Sequence, residues 1–208
     1  MIATASAALA GGCTPCPPQP PRQMRAPAEP PRPAMHTFTV ARSVRGREIV
    51  AHVFGDAPRP VLIFGGIHGD EPTSRRLADR LVAHLRERPE LWQDRSVIVV
   101  PALNPDGLAA GTRHNARGVD CNRNFPAKNW RRSSATDRYH GGTAPASEPE
   151  TCALLGLMQT YQPTCVVSVH SISGERQCNN YDGPAKALAT AMAAQNGYPP
   201  KASIGYPT

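Results

Sequence analysis

The stretch VLIFGGIHGDEPTSRRLADRLVAHLRE, residues 61–87, predicts a strand, a tight turn and a helix in direct succession. Residues 61–64 form a continuous apolar run, which is typical of a strand that is buried on both faces of a sheet. Gly65 and Gly66 end this run, and Pro72 suits the first turn of the helix that follows. The apolar face of the helix is expected to contain three leucines, Leu77, Leu81 and Leu85. The stretch is therefore a strand–turn–helix unit of an α/β protein.

Further apolar runs and helical patterns repeat this alternation along the chain. Residues 96–100 (SVIVV) and 164–169 (TCVVSV) predict two more buried strands. Residues 36–53 alternate between apolar and polar side chains, as two half-buried strands do. Helices are expected after Ser147 and over residues 185–195. Buried strands that alternate with helices indicate an α/β sandwich around a mixed, largely parallel sheet.

Two short motifs predict local structure between these elements. Asn104 to Gly107 reads NPDG, a combination that is typical of a turn. Ser147 and Glu150 have the spacing of a capping box, in which each side chain bonds to a backbone N–H at the start of a helix. We therefore expect NPDG to turn the chain and Ser147 to begin the next helix.

The chain divides by composition into residues 1–35 and residues 36–208. Residues 2–10 are small and apolar, and the prolines that follow Cys13 prevent helix and sheet, so residues 1–35 are predicted to be a leader and a disordered, proline-rich linker. Cys13 would be the acylated residue of a bacterial lipoprotein leader, which favours the cell envelope or periplasm. The alternatives are a disordered extension or a misplaced start codon, with a cytoplasmic location. The 173-residue remainder, residues 36–208, has a length suited to one domain.

Composition excludes several classes of protein. The formal charge is +7, but aromatic residues make up only 5% of the chain and no basic run is interleaved with them, so we expect no nucleic-acid partner. No apolar run approaches the length of about 18 residues that spans a membrane, so we expect no transmembrane segment. The six cysteines are scattered, which argues against a disulfide framework.

Three side chains that can bind a metal follow predicted strands. His68 and Glu71 come just after the strand of residues 61–64, and His170 comes at the end of the strand of residues 164–169. Ligands bind beyond the carboxyl ends of the strands in such sheets, so these side chains can converge. Two imidazoles and one carboxylate occupy three corners of a tetrahedral zinc site and leave the fourth open. Taken alone, the spacing of His68 and Glu71 favours a turn residue and an acid at a helix N-terminus over a pair of metal ligands.

Five segments in order resemble the zinc carboxypeptidase family and decide between these interpretations: GGIHGDEP, NPDG, TRHNARGVDCNRNFP, ASEPET and SVHSISG, across residues 44–208. GVDCNRNFP and CNNYDGPA are further similar to the bacterial murein-peptide-amidase branch, which removes amino acids from cell-wall peptides. The resemblance implies a three-layer α/β/α sandwich and one Zn²⁺ ion held by His68, Glu71 and His170.

The resemblance also implies roles for five further residues. Asn122 and Arg123 match the pair that binds the terminal carboxylate of the substrate, which suits a planar guanidinium beside an amide. Arg113 matches the arginine that stabilises the oxyanion, with Arg117 as a nearby alternative. Asp120 matches a carboxylate that orients a zinc-binding imidazole, here His68. Tyr206 matches a mobile tyrosine that closes over the substrate.

The sequence departs from the family pattern at its end. The general base of the family is a glutamate on a strand beyond the position of Tyr206, and the sequence ends at Thr208. Glu175 follows His170 but falls in a family loop, so it is not assigned as the base. We therefore expect the last strand or strands of the domain, together with the catalytic glutamate, to be missing from residues 36–208.

These observations predict a zinc metallocarboxypeptidase-type hydrolase. Its partner would be a peptide with a free C-terminal carboxylate, and the murein branch points to a cell-wall peptide. One alternative is an N-acyl-amino-acid deacylase of the aspartoacylase type, which a panel of acyl-amino acids and peptides would distinguish. Another is a non-catalytic domain that binds zinc or peptide, since no catalytic glutamate is assigned.

Overall fold

A five-stranded mixed sheet is the centre of the structure, which is a computed structural model that describes residues 35–171 and 177–203. The strands are β1 (Met35–Arg42), β2 (Glu48–Phe54), β3 (Val61–Phe64), β4 (Val97–Val100) and β5 (Cys165–Ser168). Their order across the sheet is β1-β2-β4-β3-β5. β3 is parallel to β4 and to β5, whereas β2 is antiparallel to β1 and to β4. The predicted mixed sheet is confirmed, with parallel pairing confined to the half that contains β3, β4 and β5.

Helices connect the strands. They are α1 (Pro72–Glu87), α2 (Pro105–Ala110), α3 (Pro149–Tyr161) and α4 (Lys186–Asn196), with 3₁₀ turns at Pro89–Leu91 and Cys121–Arg123. Two short parallel strands, β6 (Asn179–Tyr181) and β7 (Pro200–Ala202), form a separate pair. No helix within residues 35–171 or 177–203 is long and apolar enough to cross a membrane.

Helices cover both faces of the large sheet. On β4, Val99 packs in one buried cluster with Val82 of α1, whereas Val100 packs in another with Leu154 of α3. Adjacent strand residues point to opposite faces, so α1 and α3 lie on opposite sides of the sheet. The three-layer α/β/α architecture expected from the family resemblance is therefore confirmed.

The buried face of α1 differs from the predicted one. Its buried residues are Ser74, Ala78, Val82 and Leu85, and Leu81 packs at the edge of the same cluster. Leu77 is 56% exposed, so the prediction that it lies in the apolar face is wrong. The loop before α1 and the sheet accept small side chains at Ser74 and Ala78, which rotates the contact face away from Leu77.

Two local motifs fold differently from their predicted forms. NPDG begins helix α2: the Asn104 side chain accepts a hydrogen bond from the Gly107 N–H, and Pro105 is the first helical residue. The capping box is also wrong, because the cap of α3 is Glu148 and has no side-chain cap bond. Glu150 is fully buried and accepts one hydrogen bond from Asn115 and one from the Val44 N–H.

Parallel pairing places the ends of β3 and β5 at one edge of the sheet. Phe64, the last residue of β3, lies opposite Ser168, the last residue of β5. The Val169 N–H donates to the Phe64 carbonyl over 2.9 Å, so the pairing continues one residue further. The chain after both strands therefore enters the same region, where His68 and His170 lie.

Three predictions concern residues outside the described ranges. Residues 1–34 with Cys13, residues 172–176 with Glu175, and residues 204–208 with Tyr206 are not among the described residues. The leader, the linker and the boundary at residue 36 stay predictions.

Candidate metal centre

His68, Glu71 and His170 form the candidate metal centre. One ligand atom from each lies within 4.8 Å of the others. His68 Nδ1 is 2.8 Å from Glu71 Oε1, and His170 Nδ1 is 3.0 Å from Glu71 Oε2. The centroids of the two imidazole rings are 4.9 Å apart. Two nitrogens and one carboxylate converge as a three-ligand zinc site requires.

The loop between β3 and α1 holds two of these side chains in place. The Ser74 hydroxyl donates to the Glu71 carbonyl over 2.7 Å and accepts from the Gly66 N–H over 3.0 Å. Gly66 has a φ of +63°, which glycine adopts more readily than other residues. A Cβ at Gly69 would lie 1.9 Å from the Gly107 carbonyl carbon, so this loop touches α2 directly. His68, between these two glycines, is only 2% exposed.

Asp120 contacts His68 from the side opposite Glu71. Its carboxylate is fully buried, and Oδ1 is 3.1 Å from His68 Nε2. Oδ1 also accepts the Asn122 N–H over 3.0 Å, and Oδ2 accepts from Arg113 Nε over 2.9 Å. The structure therefore brings Asp120 to the imidazole that it was expected to orient.

Charge complementarity shifts three pKa values in this group. Burial alone would raise the pKa of Glu71, but the hydrogen bonds that its carboxylate accepts from His170, His68 and the Ser171 N–H hold this pKa well below its usual range. Burial also opposes the shift at Asp120, where the contacts with His68 and Arg113 lower the pKa. At His68 burial would lower the pKa, and the bonds to Asp120 and Glu71 raise it. Both carboxylates are therefore ionised near neutral pH.

Arg113 lies beside the candidate metal centre. It is 12% exposed, and its Nη1 is 3.9 Å from Glu71 Oε1 and 3.4 Å from His68 Nδ1. Nη2 pairs with Asp120 Oδ2 at 2.9 Å. The Arg113 guanidinium is thus fixed by a buried carboxylate while it remains next to the cluster.

Asn122 and Arg123 belong to the 3₁₀ turn Cys121–Arg123, and Asp120 is the N-cap of this turn. Both are partly exposed. Arg123 Nη1 donates to the Asn122 carbonyl over 3.1 Å. The expected carboxylate-binding pair therefore follows closely after Asp120, the residue that contacts His68, and is joined to it by the Asn122 N–H, which donates to Asp120 Oδ1.

Sequence reasoning missed two groups of residues around the site. Tyr139 contacts both Arg113 and Arg123 through its ring. Asn115 Nδ2 donates to the buried carboxylates of Glu148 and Glu150 over 2.8 and 3.0 Å, which fastens the segment that carries Arg113. The sequence shows Tyr139 in RYHGG and the two glutamates in SEPE, but the residues that they contact lie more than 15 positions away along the chain.

A family model described as zinc carboxypeptidase matches residues 24–183. The chain belongs to the zinc carboxypeptidase family. This family assignment confirms the resemblance drawn from the sequence motifs, and its metal agrees with the nitrogen and oxygen ligands brought together at His68, Glu71 and His170.

Two proteins that are similar to this chain are murein peptide amidases. The chain is 37% identical over 160 residues to murein peptide amidase A of Escherichia coli (strain K12). The match covers 69% of this chain and 64% of the relative, so the chain spans less than two thirds of that protein. The solved structure of murein-tripeptide amidase from Escherichia coli O157 is similar with a TM-score of 0.64 and 34% identity, over 80% of this chain and 73% of that one.

A vertebrate structure shares the fold at lower identity. Bovine thrombin-activatable fibrinolysis inhibitor, solved with a tick carboxypeptidase inhibitor, has a TM-score of 0.67 and 18% identity, over 81% of this chain and 69% of that one. This likeness concerns the fold alone.

Proposed function

We propose that this protein is a zinc-dependent hydrolase that releases the C-terminal amino acid of a peptide, with His68, Glu71 and His170 as the zinc ligands. The observation that carries the proposal is the approach of their three ligand atoms to within 4.8 Å of one another. When bound, zinc supplies a Lewis acid that polarises a carbonyl group and lowers the pKa of water. Family membership supports the reaction class.

The surrounding residues have complementary tasks in this proposal. Asp120 holds the His68 ring by its contact with Nε2, which leaves Nδ1 directed towards Glu71 and His170. Arg113 lies close enough to the cluster to stabilise negative charge that develops on the carbonyl oxygen of the substrate.

Asn122 and Arg123 would bind the terminal carboxylate of the peptide. A guanidinium can form two parallel hydrogen bonds with a carboxylate, and the neighbouring amide adds a third, directional contact. Attachment of this pair to Asp120 in one 3₁₀ turn keeps the carboxylate site at a fixed distance from His68.

The proposed substrate class is a cell-wall peptide. The support is the similarity to proteins named murein peptide amidase and murein-tripeptide amidase. A location in the cell envelope follows from such a substrate and agrees with the leader-like residues 2–13. Tyr206 is proposed to contact bound substrate on the strength of the family resemblance.

The experiment is a substrate panel with the zinc-loaded protein. It compares a murein tripeptide with a free carboxylate, the same peptide with a C-terminal amide, and an N-acyl-amino acid. Since no residue of this sequence is assigned as the general base, we expect slow release of an amino acid, only from the free peptide, and the loss of that release in His170→Ala. The control is His84→Ala, which removes an exposed histidine of α1.

Other results of the panel would exclude the proposal. Cleavage of the acyl-amino acid alone would indicate a deacylase. Calorimetric binding of the peptide with no turnover would indicate a non-catalytic binding domain. Equal activity of His170→Ala and the wild type would remove His170 from the metal centre.

A further inference from the structure

Tyr139 lies where the two arginines of the proposed substrate site meet. The guanidinium carbon of Arg113 is 5.4 Å from the centroid of the Tyr139 ring, and that of Arg123 is also 5.4 Å from it. A cation within about 6 Å of an aromatic centroid is attracted by the ring quadrupole. Tyr139 is 51% exposed, so it is not held there by burial in the core.

The backbone around Tyr139 is nevertheless fixed. The Tyr139 N–H donates to Asp137 Oδ1 over 2.8 Å, and the His140 N–H donates to the Asp137 carbonyl over 3.0 Å. On the other side, the His140 carbonyl accepts the Asp120 N–H over 2.8 Å. An exposed aromatic side chain is thus carried by a loop that is bonded to the segment between Arg113 and Arg123.

A second link joins the same two segments. His114 Nε2 lies 2.8 Å from the Arg138 carbonyl oxygen. Both chain neighbours of Tyr139 are therefore bonded to the segment that carries the arginines: Arg138 to His114, the residue after Arg113, and His140 to Asp120. These bonds set the position of the ring relative to the arginines.

Two guanidinium groups that approach one region repel each other, and the carboxylates of Asp120 and Glu71 both lie within salt-bridge distance of Arg113. The negative face of an aromatic ring attracts both cations without forming the salt bridge that would block a substrate carboxylate. Resting on the proposed function, we propose that Tyr139 is a positioning residue that holds the Arg113 and Arg123 guanidiniums ready for the carbonyl and the carboxylate of the peptide.

The first experiment measures the two arginines directly. The Nε–H resonances of Arg113 and Arg123, assigned with Arg113→Lys and Arg123→Lys, should be displaced by the ring current of Tyr139. Tyr139→Leu should remove the ring-current displacement from both resonances, whereas Tyr139→Phe should preserve it; the Arg113 Nε–H keeps its hydrogen bond to Asp120 in both variants. Tyr198→Leu is the matched control, because Tyr198 is also exposed, at 44%.

The second experiment measures carboxylate binding by calorimetry, with hippurate as the probe and hippuramide as its uncharged counterpart. We expect Tyr139→Leu to weaken hippurate binding by about tenfold, or about 1.4 kcal/mol, and Tyr139→Phe to stay within about twofold of the wild type. Hippuramide binding should not change. Leucine keeps most of the bulk of the side chain, so a space-filling role would leave the carboxylate preference unaltered.

The outcomes separate the two proposals. If Arg123→Ala leaves hippurate binding unchanged, or the wild type does not bind hippurate, the proposed carboxylate site is wrong, and the resonances still decide the role of Tyr139. If Arg123→Ala weakens binding but Tyr139→Leu changes neither the resonances nor the affinity, the role of Tyr139 is overturned. Movement of both resonances together with a selective loss of hippurate binding supports it.

Discussion

Asp106 and Asp120 are both buried carboxylates, but their partners give them different roles. Asp120 contacts His68 and Arg113 at the candidate metal centre. Asp106, in the first turn of α2, accepts the Arg45 N–H over 2.9 Å and pairs with the Arg47 guanidinium. Asp106 therefore fastens the turn between β1 and β2 to α2, away from the zinc ligands.

The Asp106 contacts predict a pH-dependent contribution to stability. Burial opposes the shift, but hydrogen bonds from the Arg45 N–H and the Arg47 side chain hold the pKa of Asp106 below its usual value. A carboxyl whose pKa is lower when folded stabilises the protein above its unfolded pKa, and this contribution is lost as the pH falls through the folded value. We expect Asp106→Asn to lower the free energy of unfolding by about 1–3 kcal/mol at pH 7.

Urea unfolding at pH 7 and at pH 3 measures this contribution. The difference between Asp106→Asn and the wild type should shrink at the lower pH, because the carboxyl of the unfolded chain, whose pKa is higher, binds a proton there. Asp94→Asn, at an exposed position, is the control and should change little at either pH. An equal difference at both values would contradict the ion-pair explanation.

The contacts of some residues can be predicted from the sequence, and those of others cannot. His68, Glu71 and His170 could be predicted because strand ends share one edge of the sheet and because the motifs around them resemble the zinc carboxypeptidase family. Tyr139 could not, since its contacts with Arg113 and Arg123 depend on a loop position that no periodicity records. Metal chemistry constrains residue type, whereas a cation–π contact is one of many uses of an exposed tyrosine.

At the scale of elements, the loop after β3 depends on close contact with α2. A Cβ at Gly69 would lie 1.9 Å from the Gly107 carbonyl carbon and 2.0 Å from its oxygen. Both are backbone atoms, so the loop or the helix must move to admit a side chain. In contrast, Gly156 lies in α3, and beyond its neighbours and the backbone of its own helix no atom lies within 4 Å of an added Cβ.

Alanine at these two glycines should have opposite effects. Gly156→Ala should stabilise the protein by about 0.5–1 kcal/mol, because alanine loses less backbone entropy in a helix. Gly69→Ala should destabilise it by about 2 kcal/mol or more and weaken zinc binding, because His68 is the adjacent residue. Urea unfolding and competition with a chromophoric zinc chelator measure the two effects. Unchanged zinc affinity in Gly69→Ala would show that the loop adapts without moving His68.

Helix starts show why element boundaries were harder to predict than element types. Ser147 and Glu150 satisfy the capping-box pattern, but the Glu150 carboxylate accepts hydrogen bonds from Asn115 and from the Val44 N–H. The helix therefore starts at Pro149, after Glu148. At NPDG, asparagine and proline are as suitable for the start of a helix as for a turn, and the sequence around them does not decide between the two.

At the scale of the whole molecule, the sheet topology was only partly readable. Apolar runs correctly located β3, β4 and β5, but β3 alternates between buried and half-buried residues, and only β4 is buried along most of its length. The predicted burial of β5 is wrong: this strand lies at the end of the strand order and alternates between half-buried and exposed residues. The alternating pattern of residues 36–53 indicated the half-buried pair β1 and β2. Strand direction is not encoded in either pattern, so the antiparallel pairing of β2 with β4 was not foreseen. Helices on both faces follow from the alternation of elements and were predictable.

Zinc should stabilise the whole fold because its proposed ligands come from distant parts of the chain. Glu71 and His170 are 99 residues apart in sequence, and the metal would join the loop after β3 to the end of β5. A ligand that binds only the native state adds about 2.7 kcal/mol at a free concentration of 100 times its Kd. For a protein of this size, that corresponds to a rise in Tm of about 5–10 °C.

Thermal unfolding with zinc and with a chelator tests this linkage. The Tm of the wild type should rise with zinc and fall when the chelator is added. The Tm of His170→Ala should respond little. Its two remaining proposed ligands, His68 and Glu71, come from one loop, so zinc bound to them would not join that loop to β5. His84→Ala should behave like the wild type, because His84 is exposed on α1. An equal zinc response in His170→Ala would mean that the ion does not bridge the two strand ends, and the arrangement proposed for the metal centre would then be wrong even if zinc binds elsewhere.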